Sequence, residues 1–179
     1  MSEQKQHPVL LWQMSLIFFA AGIMFYNLIP FSLTPATLPM PDVLFCVICA
    51  LIIRRPNIVP FGLIALIFFS FDIFLTKPPG VWTICILISS EVLRRNRDAF
   101  MENLFPFEWL YFSLVFCIAF VINLTLLTVS FAPTPTASSV AWEFVFTVMS
   151  YPIVIFVITY IFRIKKPTLG AFSVKDHKI

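Results

Sequence analysis

The chain is a series of apolar runs separated by short breaks rich in proline or charge. Leu11 to Ile29 is apolar over 19 residues, interrupted only by Gln13, Ser15 and Asn27, and an uncharged, proline-rich break from Phe31 to Pro41 follows. Asp42 to Ile53 runs for 12 residues and stops at Arg54-Arg55-Pro56-Asn57. Pro41 suits the first turn of that helix, where its missing N–H costs nothing, and Pro56 disfavours helix at the residue before it. Ile58 to Leu75 gives 18 residues broken by Asp72, and Thr76-Lys77-Pro78-Pro79-Gly80 is a hard turn. Val81 to Leu93 is again short, 13 residues, with Glu91 near its end. After the polar segment Arg94 to Pro106, Trp109 to Phe131 gives 23 apolar residues. The loop Ala132 to Ser139 is uncharged, Trp142 to Phe162 gives 21 more residues with Tyr151-Pro152 inside, and the tail from Arg163 is polar.

A helix needs about 20 apolar residues to cross a bilayer, within a range of roughly 17–25. Four of the six runs qualify. The two short ones reach only about 18–20 Å against a hydrocarbon core of about 30 Å. They are accommodated if longer neighbours shield them, if the bilayer thins locally, or if they frame a polar cavity. The first run is not a cleavable signal: only Lys5 precedes it, and no A-x-A site follows.

Charge placement fixes the expected topology. With six crossings and the N-terminus inside, the inner segments hold Lys5, Arg54, Arg55, Arg94, Arg95, Arg97, Arg163, Lys165, Lys166, Lys175 and Lys178. That leaves Lys77 as the single outer cation among 12 Lys and Arg, a strong positive-inside bias. A second run that dipped in and returned would put Arg54 and Arg55 outside. Composition agrees: 60% of residues are apolar and 12% charged, with 22 Phe, and the mean hydropathy is +0.95. A soluble domain could not be coated by so few polar residues. The expectation is an all-α integral membrane protein of six transmembrane helices, two of them short. It forms a single polytopic domain over residues 1–179, with a cytoplasmic N-terminus (1–10) and a loose cytoplasmic tail (163–179). No basic extramembrane face exists for nucleic acid.

Cys46, Cys49, Cys85 and Cys117 lie in apolar runs. The CxxC at Cys46 and Cys49 lacks further ligands, since His7 and His177 are at the chain ends, so neither metal nor cofactor is expected. The four glycines make no GxxxG, although Ala20, Ala21, Gly22, Gly62 and Ala65 could allow close helix approach. Trp12, Trp82, Trp109 and Trp142 stand at segment edges, as interfacial anchors do.

Ionisable groups at membrane depth are expensive and therefore candidates for function. Asp42 and Glu143 fall at helix starts, where capping explains them. Asp72 stands among Phe68, Phe69, Phe71 and Phe74, and its expected partner is Lys77 or the N-terminus of a neighbouring helix. Glu91 is at the depth of Arg54, Arg55, Arg94 and Arg95, and is expected to pair with Arg54 or Arg55 and lock the two short helices together. No G-x-S-x-G, HExxH, P-loop or GxGxxG is present, and the two aspartates lie near one rim rather than mid-membrane, so no enzyme is expected.

Taken in order, Pro41-Asp42 opening an apolar helix, Arg54-Arg55-Pro56, Asp72, Pro78-Pro79-Gly80 with Trp82, and Glu91 with Arg94-Arg95 resemble the rod shape-determining MreD family of bacteria. The series spans Pro41 to Arg95, about a third of the chain. The resemblance implies a non-enzymatic, multi-pass subunit of the cell-elongation (rod-shape, peptidoglycan synthesis) machinery in the bacterial inner membrane. Members of that family work with the membrane-anchored MreC and, directly or through it, with the MreB filament and the synthase pair RodA and penicillin-binding protein 2. It also implies a fold similar to the S components of energy-coupling-factor transporters. The competing class is therefore a small-molecule-binding subunit of a membrane transporter, which a polar cavity between the short helices would favour.

Overall fold

The computed structural model describes residues 6–29, 40–75, 78–97, 100, 104–131 and 134–160. They form six α-helices: α1 (Gln6–Leu28), α2 (Val43–Arg54), α3 (Phe61–Phe74), α4 (Val81–Arg95), α5 (Phe105–Val129) and α6 (Ala137–Tyr160). A single 3₁₀ turn, Pro56–Ile58, joins α2 to α3. Among the described residues there is no strand. Three stretches, Val9–Leu28, Phe105–Val129 and Ala137–Tyr160, are long and apolar enough to cross a membrane, while α2 and α3 are apolar but shorter. The chain has the character of a helical membrane protein.

The packing explains why α2 can be short. It lies against α6 on one side and α4 on another, and ten of its 12 residues are buried. A helix that is apolar all round belongs in the interior. It meets neighbouring helices rather than lipid, so its length need not match a hydrocarbon thickness. Phe45 of α2 packs on Phe116 of α5 with ring centroids 5.4 Å apart, and Phe112 of α5 stacks on Tyr151 of α6 at 3.9 Å.

The long helices show one buried stripe each. In α5 it is Glu108, Phe112, Val115, Phe116, Ala119 and Phe120; in α6 it is Thr147, Tyr151, Val154, Ile155 and Ile158. Steps of three and four residues place each set on one face. The phenylalanines divide accordingly: Phe45, Phe68, Phe112 and Phe116 are buried, whereas Phe18, Phe25 and Phe156 are exposed. Helix α1 is attached by a narrow stripe that includes Leu16 and Ala20, and it packs on α3 and the 3₁₀ turn.

Several helix ends differ from the sequence expectation. The run from Ile58 begins as a 3₁₀ turn, and α3 starts only after Pro60, which stands at its N-cap. Helix α4 continues through Arg94 and Arg95. Helix α5 begins four residues before Trp109, because Pro106 sits comfortably in its first turn. Gly22 and Gly62 are not close-approach points, since an added Cβ would meet nothing within 4 Å at either. Trp82 is a buried wedge rather than an interfacial anchor, 8% exposed.

Gly80 is the N-cap of α4 with φ 89°, left-handed backbone that an L side chain adopts only at a cost. The preceding prolines fix the chain up to that point, and glycine completes the reversal. Space is not limiting, since a Cβ at this position would meet nothing within 4 Å. Gly80→Ala is therefore expected to cost only the backbone term, about 1–2 kcal/mol, measurable as a lowered thermal midpoint in mild detergent. A neutral substitution would show that the turn relaxes freely.

Candidate functional site

Polar side chains gather in two layers at opposite ends of α2. The acidic layer is built on helix N-termini. Asp42 caps α2: its Oδ1 accepts from the Phe45 N–H at 2.9 Å, and its own N–H donates to Thr147 Oγ1 of α6 at 3.0 Å. Its Oδ2 accepts the Trp82 indole N–H of α4 at 3.1 Å. Capping of α2 by Asp42 is thus as expected from the sequence, with a cross-helix bond added.

Asp72 does the same for α4 from a distance. Gly80 has no side chain to cap its own helix, so the free N–H groups of that first turn need an external acceptor. Asp72 Oδ2 takes the Gly80 N–H at 3.0 Å, the Thr83 N–H at 3.2 Å and the Thr83 hydroxyl at 2.8 Å. The carboxylate is wholly buried, and its charge faces the positive end of the helix dipole. Of the two partners expected for Asp72, the helix N-terminus is the one observed. Lys77 lies outside the described residues, as do Thr76 and most of the Phe31 to Pro41 break.

A hollow of about 500 Å³ opens beside this layer, with walls from α1 to α4 and Glu143 of α6. A second, about 740 Å³, is lined by Trp82, Pro78, Pro79, Asn123 and Glu143 among others. Trp82 and Glu143 border both.

The other layer is built on arginine. Arg54 Nη1 lies 2.8 Å from Glu108 Oε1, with side chains 5% and 1% exposed. The same oxygen accepts the Tyr151 hydroxyl at 3.0 Å. One carboxylate thus ties α2, α5 and α6 together. Arg94 donates to the carbonyls of Val59 at 2.7 Å and Pro56 at 3.4 Å, and Arg97 donates to the Ile53 carbonyl at 3.0 Å. These cations bond carbonyls at the end of α2 and in and after the turn that follows it, and they complement its dipole.

The expected pairing of Glu91 with Arg54 or Arg55 is not formed. Glu91 Oε1 accepts from Arg95 Nε at 2.8 Å within α4, on an exposed face. The buried face of α4 carries Trp82, Ile86, Ser89, Ser90 and Leu93. Glu91 is turned away from that face and meets the residue four further on. Arg55 is exposed. The acid that neutralises Arg54 is Glu108, which falls between the polar segment ending at Pro106 and the apolar run starting at Trp109 and is not among the candidate residues read from the sequence. Its signal is in the sequence nonetheless: Glu108 falls on the stripe of Phe112, Val115 and Phe116, and Pro106 marks a helix start ahead of it.

A further polar contact explains an oddity of α6. Pro152 stands inside the helix and has no N–H for the carbonyl four residues back, which is Val148. The Trp109 indole N–H of α5 donates to that carbonyl at 3.0 Å. Trp109 is therefore a helix tie. Trp109→Phe is expected to cost about 1–3 kcal/mol, the range for stranding a buried carbonyl. In a Pro152→Ala background the backbone supplies the missing N–H, so the same change should cost clearly less. Equal costs in the two backgrounds, by thermal unfolding in detergent, would refute the tie.

Comparison of the chain with protein-family models, with curated proteins and with solved structures gives no match.

Proposed function

We propose that the protein is a non-enzymatic scaffold subunit of the bacterial cell-elongation machinery, of the MreD kind. In this reading all six helices lie in the inner membrane, with both termini and the arginine layer cytoplasmic. Its partners are an MreC-type membrane protein and, through it, the MreB filament and the RodA and penicillin-binding protein 2 synthase pair. The observation that supports the reading is the convergence of the residues that carry the resemblance. Asp42 bonds Trp82, Asp72 bonds Gly80, and Arg94 closes on the turn that follows Arg54-Arg55-Pro56. Much of the motif series thus gathers in two clusters, from which exposed Arg55 and the Glu91–Arg95 pair stand apart. Helix α1 supports it too. It exposes Leu11, Met14, Phe18 and Phe25, a broad apolar surface for membrane partners or lipid.

Affinity purification of the tagged protein from its own membranes in gentle detergent tests this. Shape and wall-synthesis proteins should co-purify, and depletion should round the cells. Unchanged cell shape with no such protein retained would overturn it. The second reading, a small-molecule-binding subunit, is favoured by one observation: the two hollows that meet at Trp82 and Glu143.

A further inference from the structure

The smaller hollow has a wall of unusual chemistry. Asp42, Asp72 and Glu143 contribute to it, with Phe68, Phe71 and Trp82 among the aromatic residues, and no Lys, Arg or His does so among the described residues. Its volume, about 500 Å³, is within the usual range of small-ligand sites, roughly 300–1,000 Å³. The decisive feature is Asp72. It is 0% exposed, and Oδ2 receives all three of its hydrogen bonds. Oδ1 is buried with no hydrogen-bond partner among the described residues. A helix cap needs one oxygen; a buried carboxylate with an idle second oxygen is costly unless something cationic comes to it. Asp42 differs, since both of its oxygens are engaged.

We propose that this hollow binds a small organic ammonium group, with Asp72 as its counter-ion and the aromatic wall facing its alkyl or methyl surface. The proposal rests on the ligand-binding reading of the hollow and names the ligand's class. Anions find no cationic group among the described lining residues. A hard metal ion would want six or more oxygen ligands, whereas the described oxygens of Asp42 and Asp72 mostly serve N–H groups already. An ammonium ion is satisfied by one carboxylate and the faces of aromatic rings. It can be carried by a soluble amine or by a lipid headgroup.

The test is thermal unfolding of the purified full-length protein in uncharged detergent. Tetramethylammonium and ethanolamine are titrated against sodium chloride at equal ionic strength. Short-chain phosphatidylethanolamine is compared with phosphatidylglycerol. Either ammonium series should raise the midpoint in a saturable way; a response to the soluble amines identifies a free ligand, and a response to the lipid alone identifies a headgroup. Asp72→Asn should weaken the apparent affinity at least tenfold, and Glu143→Gln, at the half-buried rim, less. Should Asp72→Asn fold poorly, Glu143→Gln together with the wild-type titrations carries the test. Equal shifts with sodium chloride, or unchanged affinity in both variants, would overturn the proposal. Binding that appears only in Lys77→Gln would also overturn it, by showing that the chain's own lysine fills the site. A saturable shift with a neutral or anionic compound alone would overturn the ammonium but keep the binding reading. No shift with any compound would end both, leaving the scaffold reading to its own test.

Discussion

Glu108→Ala is expected to be among the most damaging single changes in the chain, lowering stability by about 3–5 kcal/mol, the range for breaking a buried ion pair from one side. Arg54 is held at 2.8 Å from Glu108 Oε1, with both side chains almost fully buried. Without the acid, a guanidinium remains enclosed between α2, α5 and α6. Arginine cannot escape the cost by losing its proton, so the helices must part to let it reach water. Arg54→Met should be costly for the mirror reason, because Glu108 then keeps only the Tyr151 hydroxyl of these two donors. The double change Arg54→Met with Glu108→Leu replaces the pair by apolar bulk and should recover most of the loss, as shape-matched replacements of buried pairs do. Tyr151→Phe removes one hydrogen bond to a charged group and should cost less, about 1.5–3 kcal/mol. Thermal or denaturant unfolding in mild detergent ranks the four. If the double variant loses the sum of the single losses, the two side chains are not coupled and the description of this layer is wrong.

The helices are legible in the sequence because their signal is coarse. Apolar runs bounded by proline and charge give element number and type without reference to packing, and all six appear. What the runs do not carry is the face of each helix. Depth along the chain puts Glu91 level with Arg54. The face of α4 decides instead, and the nearest cation on Glu91's face is Arg95. Glu108 escapes a hydropathy reading for the complementary reason. A charged residue at the edge of an apolar run counts as the end of that run, although the spacing from Glu108 to Phe112 and Phe116 puts it on the buried stripe. Tryptophans at run edges look like interfacial markers, yet Trp82 and Trp109 are hydrogen-bond donors to Asp42 and Val148 across helices. Asp72 is more legible. Pro78-Pro79-Gly80 announces a helix start without a capping side chain, and the nearest unexplained acid supplies one.

Asp72→Leu is expected to cost about 3–5 kcal/mol, less than three independent hydrogen bonds to a charged group would total, because all three share one oxygen. The Gly80 and Thr83 N–H groups and the Thr83 hydroxyl would all lose their acceptor at once. The positive end of the α4 dipole would lose its counter-charge in the same step. The neighbours offer little replacement, since Phe68 is buried beside it and offers no acceptor to these donors. Asp72→Asn keeps one acceptor oxygen for the same groups. It removes the charge and places an amide N–H₂ where Oδ1 has no hydrogen-bond partner among the described residues, so it should cost about 1–2 kcal/mol. Thr83→Val deletes a single donor and leaves the two backbone bonds to the carboxylate, and it should be the mildest of the three. The expected order of unfolding midpoints in detergent is therefore wild type, Thr83→Val, Asp72→Asn, Asp72→Leu. If Asp72→Leu were as stable as Asp72→Asn, the α4 N-terminus would not depend on this carboxylate, and the capping assignment would fail.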